Sequence, residues 1–166
     1  MTNPSQRHEQ IAGNIGAPLK LELRARGCRV HQGGIRVQSS DDQRGANKPR
    51  PDVLVQCGPV HDERNYVTDP LIIVGVLSPS TMDRDRGPKL RFYQTRLPTL
   101  RHIALVYQDQ MRVEHYRCTE AGWGIEVLTA PGDLLAFEAV GFESDLASVY
   151  EGVTFREGAR EADQTA

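Results

Sequence analysis

Four residues in the middle of the chain could act together on a phosphodiester. Asp52 opens a short apolar stretch, and Asp83, Asp85 and Lys89 follow a longer apolar run. Metal-dependent phosphodiester hydrolysis needs carboxylates that converge on a hard cation, and a positive side chain to position the water and balance the developing charge. Magnesium suits such oxygen ligands. Spacing alone is a weak signal, because an aspartate that begins a strand is usually a turn residue and Asp85 can equally cap a helix.

The apolar pattern around these residues predicts an α/β fold. Residues 71–77 are a continuous, largely β-branched run, which is typical of a central strand covered on both faces. A shorter strand is predicted over 52–55, and three more at about 102–107, 111–117 and 123–128. Their order indicates a mixed sheet with an antiparallel extension. A further strand is expected at 138–143, with a short helix behind it.

Two longer helices are predicted to flank the sheet. In the first, apolar residues recur every four positions from Ile11 to Leu23, and Gly27 is placed to end it. Pro18 costs about 3 kcal/mol in a helix interior, so we expect a break or kink near Ala17. The second helix is expected to run from Asp85, as its cap, to Arg96.

Length and composition favour one soluble domain. The chain has 166 residues, of which 39% are apolar, and a chain of this size can form a core without disulfides or a structural metal. No apolar run approaches the roughly 20 residues that a membrane-spanning helix needs, and residues 1–10 lack the apolar stretch of a signal peptide. We therefore expect a cytoplasmic protein, with one domain over residues 1–155 and a disordered polar tail over residues 156–166.

The cysteines are expected to be reduced. Cys28, Cys57 and Cys118 form an odd set without CxxC spacing, which argues against both a disulfide framework and a thiolate zinc site.

Charge is distributed unevenly along the chain. Residues 1–101 hold 16 Lys or Arg and 10 Asp or Glu, whereas residues 102–166 hold 4 and 12. Basic residues concentrate near the second predicted helix, where Arg84, Arg86 and Arg91 would suit a surface that faces phosphates. On charge alone a solvated helix face is the favoured interpretation, because basic clusters of this size are common on ordinary surfaces.

Several short motifs together resemble one known family. These motifs are Pro51-Asp52-Val53, the run from Val74 to Thr81, then Asp85, Lys89 and Tyr93, and the run from Pro98 to His102. They resemble the Uma-type restriction endonuclease family of the PD-(D/E)XK nuclease superfamily, over roughly residues 8 to 118. His8 and Ile11 are similar to the opening helix of that family. The resemblance implies a restriction-endonuclease-like mixed β-sheet flanked by helices.

The resemblance also implies roles for particular positions. Asp52 matches the first metal-binding acid, and the backbone carbonyl of Val76 matches a second metal ligand. The catalytic lysine would be Lys89, supported by Asp85 and Tyr93. The implied cofactor is Mg²⁺ or Mn²⁺ and the implied partner is DNA. A homodimer is among the expected arrangements, because nucleases that cut both strands often act as dimers.

The sequence departs from the family at the second acid. Where relatives carry Glu, this chain has Gly75, which offers no side-chain oxygen. Losing even a residue that only orients a metal ligand costs about 10- to 100-fold in affinity or activity, so Asp83, Asp85 or water would have to compensate. Tyr107 also stands where relatives often carry an acid, and the chain begins close to the family's His-containing helix.

Two functions from different classes follow from these observations. The first is a metal-dependent DNA endonuclease, impaired at Gly75. The second is a nuclease-like domain that no longer turns over and binds nucleic acid or a partner protein. A decayed gene product without a present function is a third reading.

Overall fold

The computed structural model describes residues 3–42 and 48–156. The helices and strands are, in chain order, α1 (Gln6–Leu23), β1 (Arg29–Gln32), β2 (Arg36–Val37), β3 (Val53–Gln56), β4 (Tyr66–Val67), β5 (Ile72–Leu77), α2 (Met82–Arg86), α3 (Pro88–Arg96), β6 (His102–Tyr107), β7 (Val113–Thr119), β8 (Gly122–Leu128), β9 (Leu134–Phe137), β10 (Phe142–Asp145) and α4 (Leu146–Val149). The predicted tail lies outside the described residues, apart from Arg156. None of the helices described in these two ranges is both long and apolar enough to cross a membrane.

A six-stranded mixed sheet forms the centre of the fold, in the order β1-β3-β5-β6-β7-β8. Strands β5 and β6 are parallel, and every other neighbouring pair in this sheet is antiparallel. The predicted α/β class and central strand are therefore confirmed. The continuous apolar run of β5 is explained by its position, because both of its faces are covered.

Helices cover the two faces of the sheet. On one face, the apolar stripe of α1 packs with the β9–β10 hairpin and α4. On the other face, Leu90, Tyr93 and Leu97 of the α3 region pack on β5 and β6. The side chains of Asp52 and the residues in register with it lie on this second face, so α2 and α3 form the roof above the predicted site.

Helix α1 continues through Pro18, so the predicted break near Ala17 is wrong. The stripe residues Ile11 and Leu19 are fully buried, and each such burial stabilises the fold by about 1.5–3 kcal/mol. Together the stripe outweighs the roughly 3 kcal/mol cost of an internal proline. Gly16 allows the helix to approach the sheet closely, because a Cβ there would lie 2.5 Å from Nε2 of Gln32.

The second predicted helix is two helices, and Asp85 does not cap it. Gly87 separates α2 from α3 with φ −108° and ψ −106°. The interruption follows from Pro88, because a proline drives the preceding residue out of the helical conformation. Asp85 lies inside α2 and is buried.

The chain after β8 also differs from the expectation. Instead of one strand over 138–143, strands β9 and β10 form a hairpin, joined by a 3-10 turn over 138–140 that ends at Gly141 with φ 65°. This positive φ favours glycine. The short helix behind the hairpin, α4, forms where it was expected.

Cys28 and Cys57 form a disulfide, which corrects the expectation of three reduced cysteines. Strands β1 and β3 are antiparallel with Arg29 opposite Gln56, so the next position along each strand brings the two cysteines together with Cα atoms 4.1 Å apart. Cys118 is free. An odd cysteine count does not reveal a pair that strand register creates.

Candidate functional site

The start of β3 and helices α2 and α3 bring the predicted site residues around one small cavity. It is lined by Asp52 before β3, Gly75 in β5, Leu105 in β6, Asp85 in α2, and Lys89 and Tyr93 in α3. The cavity has a volume of about 20 Å³, which is enough for about one water molecule. The structure therefore places four predicted residues, Asp52, Asp85, Lys89 and Tyr93, beside Gly75, the predicted position of the second acid.

The carboxylate of Asp52 is held at both oxygens. The backbone N–H of Val76 donates to Oδ2 at 2.7 Å, and Nε2 of His8 lies 3.0 Å from Oδ1. The hydrogen bond that the His8 imidazole donates to the Asp52 carboxylate is the largest influence on the pKa of His8 and raises it, against the opposing effect of burial. His8 reaches the site from the first turn of α1, where Ser5 caps the helix.

The contact between His8 and Asp52 is a feature that the sequence did not predict. The resemblance placed His8 on an opening helix but gave it no partner, because the contact joins residues 44 positions apart. A histidine in the first turn of the helix that packs on the sheet was the only available signal.

The backbone polar groups of Val76 point toward Asp52. In an extended strand, the N–H and C=O groups of one residue point toward the same neighbouring strand. The N–H of Val76 donates to the Asp52 carboxylate. The carbonyl of Val76 therefore points in the same direction, toward the beginning of β3. The roles of Asp52 and Val76 as metal ligands stay predictions, and their placement is compatible with them.

Asp85, Lys89 and Tyr93 form the roof of the cavity. Nζ of Lys89 donates to Oδ1 of Asp85 at 2.7 Å, across the break between α2 and α3. Tyr93 lies one turn further along α3 and is buried. Burial raises the pKa of its hydroxyl, and the negative charges of Asp85 and then Asp52 raise it further. Both carboxylates therefore act on the same tyrosine.

Gly75 leaves space at the predicted position of the second acid. Across the sheet, Gly75 lies opposite Asp52 on one side and opposite Leu105 on the other, and Leu105 in turn lies opposite Glu114. A Cβ on Gly75 would meet only the Cδ2 atom of Leu105, at 3.6 Å, which is an ordinary contact. The backbone thus leaves room for a Cβ at this position, although glycine itself supplies no side-chain oxygen.

The donors present are compatible with a cation that keeps much of its hydration shell. Within residues 3–42 and 48–156, no group of three or more His, Cys, Asp or Glu side chains is arranged to hold a metal ion. Mg²⁺, however, is commonly bound through one or two carboxylates, with water and phosphate oxygens completing its octahedron. Asp52, Asp85 and the Val76 carbonyl, beside a cavity of water size, fit that description.

The three arginines predicted to contact DNA have different surroundings. Arg84 and Arg91 are exposed on α2 and α3. Arg86 instead pairs with Glu114, with its Nη2 atom 3.2 Å from Oε1. A guanidinium with that partner is less available to phosphate, so Arg84 and Arg91 are the stronger members of the predicted surface.

Glu114 is a second residue that the sequence did not single out. It is fully buried in β7 and accepts hydrogen bonds from Tyr107 Oη at 2.8 Å and Tyr116 Oη at 3.2 Å. Nη2 of Arg112 lies 3.5 Å away. Burial, followed by the charge of Glu114, raises the pKa of Tyr116 to about 12. A glutamate within a predicted strand was the available signal.

Two curated relatives are similar over most of the chain. The Synechocystis sp. (strain ATCC 27184 / PCC 6803 / Kazusa) protein slr1290, described as uncharacterized, is 27% identical over 93% of this chain and 80% of its own length. A second uncharacterized protein of that organism, sll1609, is 29% identical over 68% of this chain and 63% of its own length.

A solved structure and a family model complete the comparison. The structure is that of "a putative nuclease belonging to DUF820" from Anabaena variabilis ATCC 29413. It matches with a TM-score of 0.72 and 16% identity, over 90% of this chain and 83% of that chain. At this identity the match supports the fold alone. The model of the Uma2 family, described as "Putative restriction endonuclease", matches residues 1–147, and the chain belongs to this family.

Proposed function

We propose that the chain is a metal-dependent endonuclease that hydrolyses phosphodiesters in DNA. The observation that carries this proposal is the convergence of Asp52, Asp85, Lys89 and Tyr93 on one cavity, from three different elements. Carboxylates beside a lysine in a partly enclosed site are the groups that phosphodiester hydrolysis requires. Family membership supports the same reaction class.

Each residue has a distinct task in this proposal. Asp52 and Asp85, with the Val76 carbonyl, would hold Mg²⁺ or Mn²⁺, which when bound supplies charge stabilisation and activates water. Lys89 positions the attacking water and balances the negative charge that develops on the phosphoryl oxygens. Its hydrogen bond to Asp85 fixes the ammonium group at the mouth of the cavity. Tyr93 keeps its proton, because burial and the negative charges of both carboxylates raise the pKa of its hydroxyl.

Contacts with His8 and Val76 orient the Asp52 carboxylate before a cation binds. With Nε2 of His8 at 3.0 Å from Oδ1 and the Val76 N–H on Oδ2, the carboxylate is fixed in orientation. Such preorganisation favours catalysis because it removes reorganisation from the reaction step. Gly75 acts in the opposite direction, since one oxygen ligand is lost, and we infer that turnover is slow.

A plasmid-nicking assay tests this function. Supercoiled plasmid should be nicked with Mg²⁺ or Mn²⁺ and protected by EDTA, and Asp52→Asn should abolish nicking while preserving the shape of the side chain. Asp62→Asn is the matched control, because Asp62 is exposed and pairs with Arg29 on another part of the surface. Nicking that survives in Asp52→Asn would exclude Asp52 from the mechanism.

A nuclease-like domain without turnover is the second candidate function. Two observations favour it: Gly75 supplies no side-chain oxygen, and both oxygens of Asp52 already have protein partners. In that case the chain binds nucleic acid or a partner protein, and Asp52→Asn changes neither nicking nor binding. The same assay, run beside a DNA-binding measurement in EDTA, separates the two candidates.

A further inference from the structure

An open groove adjoins the candidate active site and shares Lys89 with it. Its volume is about 760 Å³, and its lining includes Lys48, Arg84, Phe92, Arg96 and the acidic residue Asp42. Pockets of about 300–1,000 Å³ enclose ligands the size of a nucleotide. A groove of this size, leading to the cavity that contains Asp52, is therefore large enough to guide part of a substrate toward the proposed reaction.

The groove combines positive charge with an aromatic ring. In α3, Lys89, Phe92 and Arg96 follow one another at spacings of three and four residues, which places them on one face of the helix. The neighbouring face carries Leu90, Tyr93 and Leu97 into the core. Phe92 is only partly buried against that core, so part of its ring is available on the groove side.

Two of the cations in the groove have side-chain neighbours. Nζ of Lys48 lies 5.5 Å from the centroid of the Tyr66 ring. Nη2 of Arg96 lies 3.1 Å from Oδ1 of Asp41, which is exposed. Exposed ion pairs are weak and screened by salt, so a phosphate can share or replace the Asp41 contact. Arg84 is exposed and projects from α2.

We propose that this groove binds an unpaired nucleic-acid strand, with phosphates on Lys48, Arg84 and Arg96 and one base stacked on Phe92. A positively charged groove with an aromatic platform is the arrangement that binds single strands without sequence preference. Bases within a duplex already stack on each other, so a ring recessed in a groove reaches a base only where the duplex is open. The inference rests on the proposed nuclease function and specifies its substrate as single-stranded or locally unpaired.

Binding without cleavage provides the test. Fluorescence anisotropy of a labelled oligothymidylate of about twelve nucleotides, within the known range of single-strand site sizes, is measured in EDTA beside a duplex of equal length. We expect the single strand to bind more tightly. Phe92→Leu should weaken single-strand binding by about 5- to 100-fold, whereas Phe92→Tyr, which retains the ring, should bind like the wild type.

Charge variants provide an independent arm that does not depend on Phe92. Arg84→Gln should weaken binding and reduce the slope of log affinity against log salt by about 0.7. Arg24→Gln, an exposed arginine that follows α1 on the opposite face of the sheet, is the matched control and should leave both unchanged. Thermal unfolding of each variant identifies any that fail to fold.

Three outcomes would overturn the inference. These are tighter binding of the duplex, equal binding by Phe92→Leu and the wild type, and competition by polyglutamate as effective as competition by unlabelled oligothymidylate. Each can occur while plasmid nicking still requires metal and Asp52. Conversely, loss of nicking with intact single-strand binding would remove the nuclease function and keep the groove, so the two failures are distinguishable.

Discussion

Glu114 and Arg86 form an ion pair that connects β7 to α2, with Nη2 of Arg86 3.2 Å from the buried Oε1 of Glu114. Arg86 directly follows Asp85, so the pair anchors the short helix that carries the second carboxylate of the candidate site. Helix α2 has only five residues, and the side chain of its N-cap residue Thr81 bonds to Ser78 instead of capping the helix backbone. Its position therefore depends on such tertiary contacts rather than on its own helical stability.

Glu114→Gln is expected to loosen this anchor. The change keeps the shape of the side chain but removes charge-assisted contacts to Arg86 and Arg112, which should lower the free energy of unfolding by about 1–3 kcal/mol. Both arginines are partly exposed and can recover hydration, which limits the loss. Urea unfolding measures the change, and Glu126→Gln in β8, whose partner Arg117 lies in an exposed pair, is the control. Equal midpoints for the two variants would contradict the anchoring role.

Restoring an acid at Gly75 should strengthen metal binding. The added Cβ meets only Leu105 at 3.6 Å, so Gly75→Glu is expected to fold, with its carboxylate near those of Asp52 and Asp85. Without metal, repulsion between these charges should lower the melting temperature, and millimolar Mg²⁺ should raise it by mass action. Nicking should increase in parallel.

Gly75→Gln separates charge from size in this experiment. The amide occupies the same space and supplies a neutral oxygen, so it should show a smaller response to Mg²⁺ in thermal unfolding. If Gly75→Glu and Gly75→Gln respond to Mg²⁺ equally, Gly75 does not occupy an acid position of a metal site.

A buried histidine pair should make the fold sensitive to acid. The N–H of Ala139 donates to Nε2 of His102, so the proton of His102 is on Nδ1, which lies 3.0 Å from Nε2 of His115. The remaining proton of His115 is on Nδ1, which is buried and has no hydrogen-bond partner within residues 3–42 and 48–156. Burial lowers the pKa of His102 to about 4 and that of His115 to about 3. Both rings are therefore neutral at pH 7.

The sign of the pH effect follows from these lowered pKa values. The unfolded chain binds protons below its ordinary histidine pKa of 6.5, whereas the folded chain does not until about pH 4. Stability is thus full above pH 6.5 and falls as the pH is lowered toward 4, by up to about 1.4 kcal/mol per pH unit for each imidazole. His115→Gln should flatten this dependence in urea titrations between pH 7 and 4. An unchanged slope would show that His115 is not protonated on unfolding.

Much of the sheet was predictable because its strands carry strong local patterns. The continuous apolar run over 71–77 favours a buried strand. The three strands within residues 102–128 are separated by turns that the sequence also indicates. The helices were less predictable, since the outcome at Pro18 depends on burial of the α1 stripe against strands distant in sequence. At Pro88 the local rule was available, because proline restricts the residue before it, yet the helical spacing of Leu90, Tyr93 and Leu97 favoured one helix.

The candidate site was predictable only as far as its motifs extend. Asp52, Asp85, Lys89 and Tyr93 lie within short segments that a family resemblance can identify. The contacts of His8 with Asp52 and of Glu114 with Arg86 are created by packing α1 and α2 on opposite faces of the sheet. The sequence shows a histidine in the first turn of α1 and a glutamate in β7, but nothing near either residue identifies its partner. The Cys28–Cys57 bond likewise required the register of β1 against β3.

That disulfide leads to a prediction about stability. The bond closes a loop with a sequence separation of 29 residues, and restriction of the unfolded chain by such a loop is expected to contribute about 3–4 kcal/mol. Cys57→Ser should therefore lower the urea midpoint, and wild-type protein in excess dithiothreitol should unfold at the same midpoint as Cys57→Ser. Cys118→Ser, which removes the free thiol, should unfold like the wild type without reductant and shift with it when reductant is added. If Cys57→Ser and the oxidised wild type have the same urea midpoint, the disulfide contributes nothing to the free energy of unfolding.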